Sequence, residues 1–121
     1  MIDFGNHLIR KIVISTGAVT TVAGTGSSGW TNGTGTSASF SYPFGITTDG
    51  TNLYVADSSN HLIRKIVIST GVVTTLAGTG SSGSANGTGT SASFSNPRGI
   101  TTDGTNLYVA DTGNHLIRQI E

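Results

Sequence analysis

This sequence predicts an all-β chain made of antiparallel, four-stranded blades. Three observations carry the prediction: a long internal repeat, apolar residues recurring with a period of two, and turn signals between short runs. Sliding the 121-residue chain by 54 aligns residues 6–59 with 60–113, and only eight positions differ: Ala18/Val72, Val22/Leu76, Trp30/Ser84, Thr31/Ala85, Tyr42/Asn96, Phe44/Arg98, Ser58/Thr112 and Ser59/Gly113. "NHLIRKI" at Asn6 and Asn60 returns as "NHLIRQI" at Asn114, so residues 114–121 open a third copy after two full units. Near-identity of this degree points to a recent duplication or to an engineered or excised repeat fragment. Because both ends of the sequence fall inside a repeat, the second is the expectation.

Within a unit, "FGITTDG" (44–50) follows Pro43, a residue tolerated at the first position of a strand, and stops at Asp49-Gly50, a hairpin turn signal. This is strand a. "NLYVADS" (52–58) is β-branched and aromatic and forms strand b. It runs into Asp57-Ser58-Ser59-Asn60, a tight turn in which the Asp carboxylate can accept backbone N–H groups. Strand c is "HLIRKIVIS" (61–69), ended by Thr70-Gly71, and strand d is "VVTTLAG" (72–78). Residues 79–96 hold four glycines and no hydrophobic rhythm until Phe94, and read as a long loop or arm leading back to the next strand a. Strand c sets Leu62, Arg64, Ile66 and Ile68 on one side and Ile63, Lys65 and Val67 on the other. Neither side is wholly polar, so both need cover, which a blade lying between two neighbouring blades receives. Four strands and a long return, written twice, is the pattern of a β-propeller with about two blades in this chain.

Composition narrows the function. Six Lys plus Arg balance six Asp plus Glu, and only 10% of residues are charged, so no long-range field steers the chain toward nucleic acid or anionic lipid. With no Cys, neither a disulfide nor a thiolate metal site can form. No apolar run approaches the roughly 18 residues of a membrane span. Met1 is followed by an acidic, His-containing stretch instead of a signal region, and localisation stays unassigned.

Individual residues support a structural reading more than a chemical one. His61 and His115, with His7, recur at one repeat position beside Asn60 and Asn114, as residues of the turn between strands b and c that satisfy its backbone. A metal or catalytic centre needs several unlike residues converging on one point. Asp57 and Asp111, with Asp3 as a partial copy, read as caps of the same turn; a calcium loop would want alternating Asp and a bidentate Glu, and the only Glu is residue 121. Arg10/Lys11, Arg64/Lys65 and Arg118 read as a solvated stripe and not a nucleic-acid groove. "GTGSSG" lacks the Lys and the helix of a phosphate cradle. Asn32-Gly-Thr34 and Asn86-Gly-Thr88 match glycosylation sequons. No catalytic residue, metal or cofactor is assigned. The binding expectation rests on copy differences: Trp30, Tyr42 and Phe44 stand where the second copy has Ser84, Asn96 and Arg98. Loops on a rigid frame carry recognition, and exposed rings stack on sugars or anchor peptides. A protein or carbohydrate ligand is therefore expected, with no nucleic acid and no membrane.

"NPRGITTDGTNLYVADTGNHLIRQI" (96–120) resembles the NHL repeat, with the family's Asn-His-Leu at Asn114, His115 and Leu116 and again at Asn60-His61-Leu62 and Asn6-His7-Leu8. The resemblance covers both units, and the Thr/Gly/Ser-rich arm is similar to the long insert of bacterial NHL proteins with many tandem copies. One departure is "ITTD", where the family has an apolar residue before the Asp; Thr48 and Thr102 are expected to soften the packing there. The resemblance implies propellers of about six blades. It also implies an alternative function, since some relatives act as lyases using His and metal.

Two blades cannot close a ring of four to eight. If each open blade face hides on the order of 400 Å² of apolar surface, leaving it bare forfeits roughly 10 kcal/mol of gross burial. The expectation is a head-to-tail homo-oligomer: three chains and six blades by the family's habit, then four chains or two. Strand c occurs at both ends, in residues 6–14 and 114–120, so two copies compete for one slot at each junction, and one blade is expected to be shared between chains with the losing copy frayed or added at an edge.

Overall fold

A computed structural model describes all residues, 1–121. It is built of strands and single 3₁₀ turns, and it contains no α-helix and hence no helix able to cross a membrane. Ile2–Asp3 (β1), Leu8–Ile12 (β2) and Val19–Ala23 (β3) make the first sheet. The central sheet takes Gly33–Thr34 (β4), Pro43–Thr48 (β5), Asn52–Asp57 (β6), Leu62–Val67 (β7) and Val72–Ala77 (β8), in the order β4-β8-β7-β6-β5. Gly99–Thr102 (β9), Leu107–Asp111 (β10) and Leu116–Ile120 (β11) make the third. The central sheet is therefore one whole blade, with β5 to β8 as strands a to d. The first sheet holds the end of b with c and d, and the third holds a, b and c.

One element differs from the sequence reading. The arm of the first unit is not all loop: Gly33 and Thr34 pair with Val73 and Val72, adding a fifth strand to the outer edge of the blade. A strand d at a sheet edge carries a row of unpaired backbone groups, and the arm passes close enough to bond two of its residues. In the second unit the corresponding residues are not in a strand, because no strand d lies beside them.

The turns follow from their residues. Asp49 Oδ1 accepts the Thr51 and Asn52 N–H groups at 2.9 and 2.8 Å. Thr48 Oγ1 accepts the Gly50 N–H and donates to the Asn52 carbonyl. The Thr before the Asp thus helps close the hairpin between strands a and b; Thr102 repeats both bonds.

Two apolar clusters lie on opposite faces of the central sheet. Val55, Ile66 and Val73 pack with Ile9 and Ala23 of the first sheet over Phe40 from the arm. Ala56, Ile63 and Ala77 pack with Leu107 and Val109 of the third sheet over Phe94. The central blade is covered on both faces, as its strand c requires. At the inner edge β5 lies against β9, so closely that a Cβ on Gly45 would run into the Arg98 carbonyl oxygen. The flanking sheets are covered on one face only. Ile63 is 0% exposed whereas its equivalent Ile117 is 77% exposed, and Val73 at 1% is matched by Val19 at 47%.

Candidate functional site

The central blade and the third sheet each grip the arm that leads into them. Arg64 lies fully buried in β7, where Nη1 donates to the Asp57 carboxylate and to the Ser39 carbonyl, both at 2.8 Å. Its Nη2 donates to the Thr31 carbonyl at 3.0 Å and to Asn32 Oδ1 at 2.9 Å. Asn60 Nδ2 donates to Asp57 Oδ2 and to the Gly29 carbonyl, both at 2.7 Å, and Asp57 Oδ1 accepts the Ser41 N–H. Phe40 lies under the guanidinium, 4.9 Å from the ring centroid. Burial pushes the Asp57 carboxyl above its ordinary value of 3.8, against the pull of Asn60, the Ser41 N–H and Arg64. Asp111, Asn114 and Arg118 repeat the clamp on the second arm, through Gly83, Ala85, Asn86, Ser93 and Ser95. Charged partners in a dry site hold the arm by hydrogen bonds of the stronger kind.

This corrects two expectations. Arg64 and Arg118 do not form a solvated stripe, because their guanidinium groups are taken up by the arm and the Asp; Arg10 reaches its Asp alone. Asp57 and Asp111 do stand at the head of the turn, yet neither carboxylate caps it. Both reach instead to the backbone of the arm, 16 residues earlier in the chain.

The histidines also reach beyond their own turn. His7, His61 and His115 end the 3₁₀ turns in the left-handed region, with φ of 57, 57 and 58°. His7 Nδ1 accepts the Tyr42 N–H and His61 Nδ1 accepts the Asn96 N–H, each at 3.0 Å. Each ring thus ties one blade to the start of strand a in the next. No group of three His, Cys, Asp or Glu residues is close enough together to hold a metal ion.

The six residues expected to bind a ligand are divided. Tyr42, Phe44, Asn96 and Arg98 line one hollow of about 270 Å³ with Phe4, Ser58 and Ser59. Its rings are already engaged: Phe4 sits 5.0 Å from Tyr42 and 5.8 Å from Phe44, His7 stacks edge-on to Tyr42, and Arg98 lies over Phe44. Trp30 is separate and 72% exposed. It overhangs a groove of about 750 Å³ whose other walls include Ser59, Asn60, Leu62, Thr75, Thr79, Ser81 and Thr90, with no charged residue. Ser84 lines neither. Ser59 borders both, so the two hollows adjoin.

Comparison with known proteins agrees with this geometry. The NHL repeat model matches residues 94–120, which run from the arm through β9, β10 and the clamp to the end of β11. This chain is built of NHL repeats. NHL repeat-containing protein 2 of Bos taurus is 42% identical over 95 residues, covering 74% of this chain and 13% of the relative. Protein SUPPRESSOR OF QUENCHING 1, chloroplastic, of Arabidopsis thaliana is 41% identical over 93 residues, covering 74% of this chain and 9% of the relative. The chain therefore spans only a small part of these curated relatives. Among solved structures, an auxiliary nutrient binding protein from Bacteroides ovatus superposes with a TM-score of 0.85 at 29% identity, over 99% of this chain and 33% of that one. A Bacteroides thetaiotaomicron protein of unknown function superposes with a TM-score of 0.89 at 28% identity, over 97% and 30%.

In each NHL copy here the clamp reads Asp-x-x-Asn-x-x-x-Arg: Asp3/Asn6/Arg10, Asp57/Asn60/Arg64 and Asp111/Asn114/Arg118. That spacing was the available signal, since a chain with six charges of each sign repeats one pair at a fixed separation of seven. The arm's half of the NHL clamp carried no such signal, because most of its partners are backbone carbonyls of Thr, Ser and Gly.

Proposed function

We propose that this chain is a non-enzymatic NHL scaffold, a repeat fragment engineered or excised from a longer run. It assembles head to tail with further copies of itself into a closed propeller and offers a binding surface beside its arms. The observation that supports assembly is the contrast in cover: the central blade is packed on both faces, while each flanking sheet leaves one apolar face bare. Three copies are favoured over four or two, and the chain's 33% and 30% shares of the solved Bacteroides chains are in keeping with three. At the surface, the Trp30 groove favours a neutral glycan. A free indole face stacks on a sugar ring, and the uncharged hydroxyl and amide walls match its hydroxyl groups. The Bacteroides ovatus protein's being an auxiliary nutrient binding protein supports a binding role in general. A peptide anchor at Tyr42 and Phe44 is less favoured, since those rings already pack on Phe4.

Two measurements test this. Native mass should be 36.9 kDa, three times the 12.3 kDa chain; a species of 12.3 kDa at all concentrations removes the assembly. The chain has one Trp, so its intrinsic fluorescence should respond to neutral oligosaccharides and lose that response in Trp30→Ala. A response to peptides alone would move the ligand to the protein class.

A further inference from the structure

Three clamps are present and only two arms. Asn6 Nδ2 and Arg10 Nη1 already donate to Asp3 Oδ2, at 3.0 and 2.9 Å, in the pattern of Asn60 and Arg64 around Asp57. Yet neither bonds any arm residue, whereas Asn60 and Arg64 make four such bonds to Gly29, Thr31, Asn32 and Ser39. Two further groups wait at the same junctions. The outer edge of β3 lacks the added strand that β8 receives from Gly33 and Thr34, and Gly87 and Thr88, their equivalents in the second arm, join no strand. His115 has no N–H to accept where His7 and His61 each have one.

We infer that Asn6 and Arg10 are the receptor for the second arm, residues 79–96, of another copy of this chain, which they seize by displacing that copy's Asn114 and Arg118. The inference rests on the assembly reading and specifies its joint. Strands a and b come from one copy (β9, β10) and strands c and d from the next (β2, β3), and the surplus segments β1 and β11 are released. Simple stacking of a third sheet on a first sheet would leave the empty clamp, the bare β3 edge and His115 all unused. Exchange puts the first two to use and releases the third. Arg10 takes the arm's carbonyls, Gly87 and Thr88 come alongside Val19 and Ala18 as Gly33 and Thr34 do alongside Val73 and Val72, and His115 leaves with the displaced segment. The hybrid blade also has both faces covered, one by each copy's central sheet, so the two bare faces of every junction vanish together. Each copy then supplies one whole blade and two halves, and the ring holds two blades per chain.

The register names the test. Tyr108 faces Gln119 in β10–β11, and Tyr54 faces Lys65 in β6–β7; the residue of β2 at that position is Lys11. Within one chain Tyr108 and Lys11 lie in sheets on opposite sides of the central blade. The chain has no Cys, so the double variant Tyr108→Cys, Lys11→Cys should form covalent head-to-tail multimers on oxidation, seen on a non-reducing gel. Arg10→Ala, which removes no arm contact within a single chain, should shift the native mass from 36.9 to 12.3 kDa, the mass of one chain. A wild-type oligomer that gives no cross-link and keeps its mass in Arg10→Ala overturns the exchange and leaves the scaffold standing. A monomeric wild type overturns both.

Discussion

The clamp around Asp57 and the clamp around Asp3 hold the same three residue types at the same spacing, with the same two bonds converging on one carboxylate oxygen. Only the first has an arm across it. At Asp3, Asn6 and then Arg10 hold the carboxyl below its ordinary 3.8 in the open; at Asp57 burial pushes the carboxyl upward despite the same donors. The arm therefore does not create the Asp-Asn-Arg geometry. It arrives on a geometry already formed by the turn and by strand c, supplies carbonyls to the free guanidinium and amide N–H groups, and dries the site. The unit of this fold is less the blade than the blade plus the arm of its predecessor.

The sharpest way to break the comparison is to remove the arginine from each site. Arg64→Ala leaves the Asp57 carboxylate buried with its charged partner gone and the Ser39 carbonyl without a donor, while the Thr31 carbonyl keeps the Ser39 N–H and Asn32 Oδ1 keeps the Thr75 hydroxyl, a loss of about 3–5 kcal/mol by the behaviour of broken buried pairs. Arg10→Ala breaks one pair whose side chains are 30% and 24% exposed, where solvent screens the attraction, so the single chain should lose far less. Urea midpoints at dilutions where the chain is monomeric should separate the two variants widely. Equal losses would mean that the arm adds nothing to the clamp.

A smaller contrast separates the inner edges of two blades. Gly45 lies where a Cβ would meet the Arg98 carbonyl oxygen, while the nearest atom to a Cβ on Gly99 is the Ala110 side chain at 3.3 Å. Gly45→Ala should cost about 1–3 kcal/mol by overpacking against backbone that cannot rotate away. Gly99→Ala should cost less in the isolated chain, because its inner side faces no further blade. Thermal unfolding of the two variants measures this, and a reversed order would move the close approach of strands a elsewhere.

These contrasts also show what could be read without coordinates. Period two, Asp-Gly turns and the 54-residue repeat place the strands of the central blade to within a residue or two, and the two-sided strand c correctly demands two covered faces. What escaped was the partner of each polar side chain. Arg64 beside Lys65 looks like two exposed cations until the arm, 25 to 33 residues upstream, is folded over one of them. Nothing local encodes that distance. The copy difference Tyr42/Asn96 likewise suggests a ligand-binding position, yet both residues sit at φ 48° at the start of strand a. Asn suits that backbone; Tyr tolerates it while its ring packs on Phe4 and His7. Trp30, by contrast, stands out in the groove as a residue free to meet a ligand.

The mildest expected effect concerns the turns between strands a and b, which are the same in both full repeats and independent of either clamp. Bonds from the Asn52 N–H, the Thr51 N–H and the Tyr54 hydroxyl hold the exposed Asp49 carboxyl below 3.8, and Asp103 is held down by the same set. A carboxyl depressed in the folded chain contributes stability that is fully present above its unfolded value of about 3.8 and is lost as pH falls through the lower folded value. Asp49→Asn should therefore unfold at lower urea than wild type near pH 7, and the two curves should converge as pH falls from above about 3.8 through the lower folded value. Asp103→Asn should follow the same course, since Asp103 Oδ1 accepts the Thr105 and Asn106 N–H groups at 2.9 and 2.7 Å, as Asp49 does those of Thr51 and Asn52. A gap that persists unchanged into acid would show that Asn keeps none of the turn's bonds and that the charge itself is immaterial. That would assign the turn's stability to its backbone geometry.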